Sequence, residues 1–168
     1  MGVFHTISIL VTNESGVLSR VVDLFSGRGY NIESLTVAPT IDRLYSRITI
    51  VTDGDSAAIE QINKQLNRLI PVIKVADLNL NEALECEVAL VKLHCKNEEK
   101  SDILRIVDAT NSKIIDVTDN AYTIQTVGSE KQIQALAELI KPYGVKEFVR
   151  SGKIAMSKGN QFVNIKNL

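Results

Sequence analysis

The stretch Val3-Phe4-His5-Thr6-Ile7-Ser8-Ile9-Leu10-Val11-Thr12, followed by Asn13-Glu14-Ser15-Gly16-Val17-Leu18-Ser19-Arg20-Val21, changes its period midway. Up to Thr12 the residues Val3, Ile7, Ile9 and Val11 fall on one side of a period-2 alternation, as a half-buried strand requires. Past Gly16 the apolar residues Leu18, Val21, Val22 and Phe25 recur at helical spacing, and Gly27 and Gly29 offer the left-handed stop that a helix end favours. Outward from there, Tyr30 to Ala38 reads as a strand halted by Pro39, and Leu44 to Thr52 as its hairpin partner across the loop Pro39-Thr40-Ile41-Asp42-Arg43. Ile59, Ile62, Leu66 and Leu69 mark a second helix, and Pro71 to Leu78 returns as a strand. The order β-α-β-β-α-β is the split βαβ unit, four antiparallel strands with two helices on one face.

The second half repeats this order. Ala83 to Cys95 is a long strand, and Asp102 to Thr110 a helix with Ile103, Ile106 and Val107 inward. Lys113 to Thr118 and Tyr122 to Val127 form a hairpin, Lys131 to Tyr143 a helix, and Val145 to Val149 the last strand. The expected fold class is therefore α+β, two ferredoxin-like βαββαβ domains, one over residues 1–79 and one over 80–168. Asn79-Leu80-Asn81-Glu82 is the joint, too short and too apolar to act as a loose tether. From about residue 152 the chain is rich in Gly, Ser, Lys and Asn, which predicts a flexible tail.

A length of 168 residues holds two small domains of this kind and excludes a large multidomain enzyme. No apolar run approaches the roughly 20 residues that a bilayer requires. The N-terminus lacks the basic start and long apolar stretch of a secretory signal, so the expected location is the cytoplasm, with Cys86 and Cys95 as reduced thiols. The 19 basic and 20 acidic side chains are spread evenly over both halves, so the excess of cations that nucleic-acid phosphates demand is missing.

Catalytic chemistry is equally hard to place. His5 and His94 sit near strand ends, with no Cys, Ser or carboxylate beside them in a pattern that suggests a triad. Cys86 and His94 share a strand face but lie about 26 Å apart at 3.3 Å per residue, so no metal site is expected. Tyr122 or Lys92 would have to act alone as acid or base if the chain were an enzyme.

The loop from strand one into helix one carries ligand chemistry. The backbone N–H groups there, with the positive end of the helix, suit a small anion. Gly16 removes a Cβ that would hold a carboxylate off the backbone, and the Asn13 amide can donate and accept. Asn31 brings a second amide to the start of strand two, and Val17 and Ile32 add apolar surface. The same residues also fit a purely structural reading, with Asn13 and Ser15 as helix N-caps and Gly27 and Gly29 as C-caps.

Residues 13–21 together with Leu24-Phe25-Ser26-Gly27-Arg28-Gly29-Tyr30-Asn31-Ile32-Glu33-Ser34-Leu35-Thr36-Val37-Ala38-Pro39-Thr40 closely resemble the regulatory small subunits of acetolactate synthase, also called acetohydroxyacid synthase. Gln61 to Leu69, Glu87 to Lys92, Ile114 to Thr118 and Arg150-Ser151-Gly152 extend the resemblance over nearly the whole chain. It implies an N-terminal ACT domain that senses an effector and dimerises, and a C-terminal domain of similar layout. It implies no catalytic residue, metal or cofactor in this chain, and a catalytic large-subunit partner carrying thiamine diphosphate, Mg²⁺ and FAD. The implied role is activation of that partner and feedback inhibition by valine in the biosynthesis of valine, leucine and isoleucine. The effector, valine or a related branched-chain amino acid, would lie between two ACT domains of a homodimer. Asn13, Gly16, Val17 and Leu18 would come from one protomer, Asn31 and Ile32 from its partner. The alternative is an amino-acid-sensing ACT regulator of a different enzyme or of transcription, and the latter would need a recognition helix for which both βαββαβ units leave no residues.

Overall fold

The computed structural model describes residues 3–78, 83–159 and 163, which divide into two compact units. The first holds the described residues up to Leu84 and those from Lys153 on, and the second holds Glu85–Gly152.

In the first unit β1 (Val3–Thr12) leads into α1 (Val17–Ser26), β2 (Ile32–Pro39), β3 (Tyr45–Gly54), α2 (Ser56–Leu66) and β4 (Val72–Leu78). The strands lie in the order β2-β3-β1-β4, every neighbouring pair antiparallel. The alternation in β1 aims Ile7, Ile9 and Val11 at the helices, where they meet Ile48 and Ile50 of β3. Val21, Leu24 and Phe25 of α1 and Ile59, Ile62 and Leu66 of α2 close this core from above. Phe25 is fully buried, and burying such a side chain stabilises by about 1.5–3 kcal/mol. α2 starts at Asp55, whose carboxylate accepts from the Ala58 amide at 2.7 Å.

β5 (Ala83–His94) carries the chain into the second unit, followed by α3 (Lys100–Ala109), β6 (Lys113–Val117), β7 (Ala121–Gly128), α4 (Glu130–Ile140) and β8 (Val145–Arg150). The strand order β6-β7-β5-β8 repeats the topology of the first unit. Its core joins Val91, Leu93 and Cys95 to Ile103, Val107, Ile124, Leu136 and Ile140. Ser129 and Gln132 form a capping box at the start of α4, the Ser129 amide donating to Gln132 Oε1 at 2.8 Å. Glu87, buried on β5, accepts a two-pronged contact from Arg150, Nε to Oε1 at 2.8 Å and Nη2 to Oε2 at 2.5 Å.

Both units are thus ferredoxin-like βαββαβ domains, as the sequence predicts, but the tail departs from expectation. Residues 153–159 and 163 belong with the first unit, not with a second domain over 80–168. A further strand, β9 (Ile154–Ser157), lies against β1 and β4. The Lys153 amide donates to Ser34 Oγ at 3.2 Å, and Arg47 donates to the Val163 carbonyl. Over residues 153–159 and 163 composition misleads, because backbone groups and one guanidinium anchor them while Ile154 and Met156 stay exposed; the rest of the expected flexible tail, 160–162 and 164–168, lies outside the described residues. The joint at Asn79-Leu80-Asn81-Glu82 lies outside the described residues.

Candidate functional site

The loop between β1 and α1 is built around Gly16, whose φ of +82° is left-handed. A Cβ there would meet nothing within 4 Å, so glycine is required by the backbone angle and not by a crowded neighbourhood. Gly16 is itself the N-cap of α1, with no side-chain cap. The N-cap reading of Asn13 and Ser15 is thereby corrected. The Leu18 and Ser19 amides have no partner among the described residues and remain as donors at the positive end of the helix. Of the two glycines after α1, Gly29 alone takes the left-handed angle, φ +72°.

Asn13 is exposed, its amide nitrogen donating to the Arg43 carbonyl at 2.9 Å and its backbone N–H to the Leu44 carbonyl at 2.8 Å. The β2–β3 loop thereby fixes the side chain, with Oδ1 left without a partner among the described residues. Asn31 behaves alike: its amide nitrogen donates to Glu33 Oε1 at 2.5 Å, and its backbone carbonyl accepts from Thr52 Oγ1 at 2.6 Å. Arg43 and Thr52 are invisible to a reading of the loop alone, because the pairing of β3 with its neighbours brings them in, whereas Glu33 is only two residues from Asn31.

Val17 corrects an expectation. At the first position of α1 it shares the helix face of Val21 and Leu24, and its side chain is buried in the core, so it offers no apolar surface to a ligand. Leu18, 36% exposed, is the apolar side chain that the loop presents. Ile32 is half-buried against the same core.

A single chain does not bring the two asparagines together. Ile32 pairs with Thr52, and Thr52 with His5, so Asn31 lies level with the beginning of β1 while Asn13 follows its end. Eight residues of strand separate the two levels, about 26 Å at 3.3 Å per residue.

Residues 7–74 match the family model of the AHAS small subunit-like ACT domain, and residues 86–159 that of the small subunit of acetolactate synthase. The acetolactate synthase small subunit of Haemophilus influenzae is 46% identical over 92% of this chain and 96% of that protein. A probable acetolactate synthase small subunit from Archaeoglobus fulgidus is 42% identical over 94% of this chain and 98% of its own length. The chain belongs to the acetolactate synthase small-subunit family. The crystal structure of the acetolactate synthase small subunit from Thermotoga maritima superposes with a TM-score of 0.88 at 35% identity, covering 95% of this chain and 99% of that one. Membership makes this a regulatory and not a catalytic chain, and the ACT domain is the part suited to sensing an amino acid.

The histidines and cysteines occupy separate places in the fold. His5 Nδ1 lies 3.4 Å from Asp77 Oδ2 across the sheet. His94, the last residue of β5, is exposed, Cys95 just after it is buried, and burial raises the Cys95 pKa. Among the described residues no group of three or more His, Cys, Asp or Glu side chains could hold a metal. No helix among them is long and apolar enough to cross a membrane.

Proposed function

We propose that this small subunit activates the catalytic subunit of acetolactate synthase and makes it sensitive to valine. The opposite placement of Asn13 and Asn31 carries the reading. β2 is an edge strand, so a second copy can pair with it antiparallel about a two-fold axis. Pro39 pairs with Ser46, and Ser46 with Val11, so the far end of β2 is level with the Asn13–Leu18 loop. Antiparallel pairing of two β2 strands sets the partner's Asn31 at that same end, and two sites form per homodimer. Valine supplies a carboxylate for the Leu18 and Ser19 amides, an ammonium for the two Oδ1 acceptors and an isopropyl group for Leu18 and the partner's Ile32. Gly16 and Val17 contribute backbone only.

The cofactors of the reaction, thiamine diphosphate, Mg²⁺ and FAD, belong in this reading to the catalytic partner, and the complex works in the cytoplasm in branched-chain amino acid biosynthesis. The test is reconstitution. Adding the purified chain to its cognate catalytic subunit raises the rate of acetolactate formation from pyruvate, and valine lowers that rate only when the chain is present. An unchanged rate, or valine inhibition of the catalytic subunit alone, refutes the reading. Any turnover of pyruvate by this chain without a partner would point instead to an enzyme.

A further inference from the structure

On the helical side of the first unit, α1 and α2 leave a shallow open groove of about 450 Å³. Both sides contribute at the same helical spacing: Arg20, Asp23 and Leu24 from α1, and Gln65, Arg68 and Leu69 from α2 and the turn that follows it. Arg28, in the turn after α1, completes the lining. Leu24 is buried and Leu69 half-buried, so the floor is apolar and the rim is polar.

The rim charge is unbalanced. Three guanidiniums face one carboxylate, and none of the four groups is in an ion pair among the described residues. Among the described residues the Arg28 guanidinium donates to the Leu24 carbonyl alone, at 3.4 Å. On the same unit Lys64 is paired with its neighbour Glu60 at 2.6 Å. The chain as a whole carries a net charge of −1, so this concentration of positive charge is a feature of the groove. The segments outside the described residues contribute a single acid, Glu82, so the chain has no acidic stretch of its own to lay here.

We infer that the α1–α2 groove docks an acidic segment of the catalytic subunit, with Arg20, Arg28 and Arg68 as carboxylate forks and Leu24 and Leu69 as the seat for an apolar side chain. The inference rests on the regulatory-subunit reading and names the surface through which it acts. Planar guanidinium forks match carboxylates in two-pronged geometry, and an open groove with an apolar floor suits a protein segment that spans all three forks. A small anion would remain largely in water.

The experiment uses the full-length chain with the cognate catalytic subunit, in the double variant Arg20→Glu/Arg68→Glu and the neutral double variant Arg20→Gln/Arg68→Gln. The small-subunit concentration for half-maximal activation should rise by about tenfold or more in the charge-reversed variant and less in the neutral one, because like charges at an interface cost more than a missing attraction. In the wild type that concentration should rise with added salt, and the neutral variant should show a flatter dependence. Valine binding to the variants, measured calorimetrically without the catalytic subunit, should be unchanged, since neither residue belongs to the effector site. An unchanged half-activating concentration with the same salt dependence overturns the inference and leaves the regulatory reading standing. Loss of valine binding in both variants shows that the groove serves the fold, and overturns it as well. Failure of the wild type to activate removes the regulatory reading and the inference together.

Discussion

Asn13 and Asn31 lie at opposite ends of the first sheet, about 26 Å apart along the strands, yet both hold an amide nitrogen on the protein and leave the amide oxygen without a partner among the described residues. Two groups of matching polarity, too distant to meet in one chain, are what a site shared across a two-fold axis requires.

Mixed dimers test that relationship directly. Asn13→Ala and Asn31→Ala homodimers should each bind valine about tenfold to a hundredfold more weakly, the loss expected for one hydrogen bond to a charged group. A dimer of one Asn13→Ala chain with one Asn31→Ala chain retains one complete site and one doubly damaged site. Calorimetry on the purified mixed dimer should therefore find wild-type affinity at half the stoichiometry. No recovery would place both asparagines in separate roles.

Gly16 separates backbone strain from charge. Its φ of +82° with open space around the missing Cβ means that Gly16→Ala costs only the left-handed backbone, about 1–2 kcal/mol of stability. Asn tolerates that region better, so Gly16→Asn should be the more stable of the two by chemical denaturation. Gly16→Asp has the size of Gly16→Asn and adds a negative charge facing the effector carboxylate. At about 4 Å and an effective dielectric near 20, the repulsion is on the order of 4 kcal/mol. Valine affinity should fall by roughly a hundredfold or more relative to Gly16→Asn. Equal affinities for the Asn and Asp variants would move the carboxylate away from this loop.

Cys95 gives the second unit a pH dependence. Burial raises its pKa, Glu99 adds to the effect and Lys100 opposes it. A folded-state pKa above the unfolded value means that the folded chain holds the proton more tightly. Its stabilisation is complete below the ordinary thiol range and is lost as pH rises through the raised value. Denaturation midpoints of the wild type should therefore decline in alkaline solution more steeply than those of Cys95→Ala. In the native protein iodoacetamide should label the part-exposed Cys86 and spare the buried Cys95 until denaturant is added.

Local pattern and long-range register contributed differently to what the sequence reveals. The period change at Asn13 and the repeat from Ala83 onward place the helices and strands of the two βαββαβ units, though not β9, to within a few residues, because each such element buries one face and must show it in its own composition. The partners of Asn13 and Asn31 come from Arg43 and Thr52, thirty and twenty-one residues away, and depend on how β3 pairs with its neighbours. The same limit applies to Val17: a valine at a helix start fits a ligand wall or a core equally well until the helix is rotated onto its sheet. The groove of arginines was out of reach for a similar reason, since Arg20 and Arg68 share a surface only once α1 and α2 lie side by side.

Arg47 joins the last described residue to the first sheet. Burial lowers its pKa, and its guanidinium donates from Nη1 to Ser8 Oγ at 2.9 Å and from Nη2 to the Val163 carbonyl. Ser8 is fully buried, so removing the guanidinium strands a hydroxyl that has no water to turn to. Arg47→Met should cost about 2 kcal/mol, and Arg47→Lys nearly as much, because an ammonium cannot reach two acceptors in the fixed geometry of a fork. A chain ending at Gly159 lacks Val163 and should itself be destabilised. If the two changes act through one contact, their costs overlap: Arg47→Met in the shortened chain should lose about 1 kcal/mol less than it does in the full-length chain. Urea denaturation of the four proteins, followed at the first unit by hydrogen exchange of the β1 and β3 amides, reads out this difference. Strict additivity of the two costs would mean that the tail is held by β9 and Lys153 alone, and that Arg47 serves only the sheet.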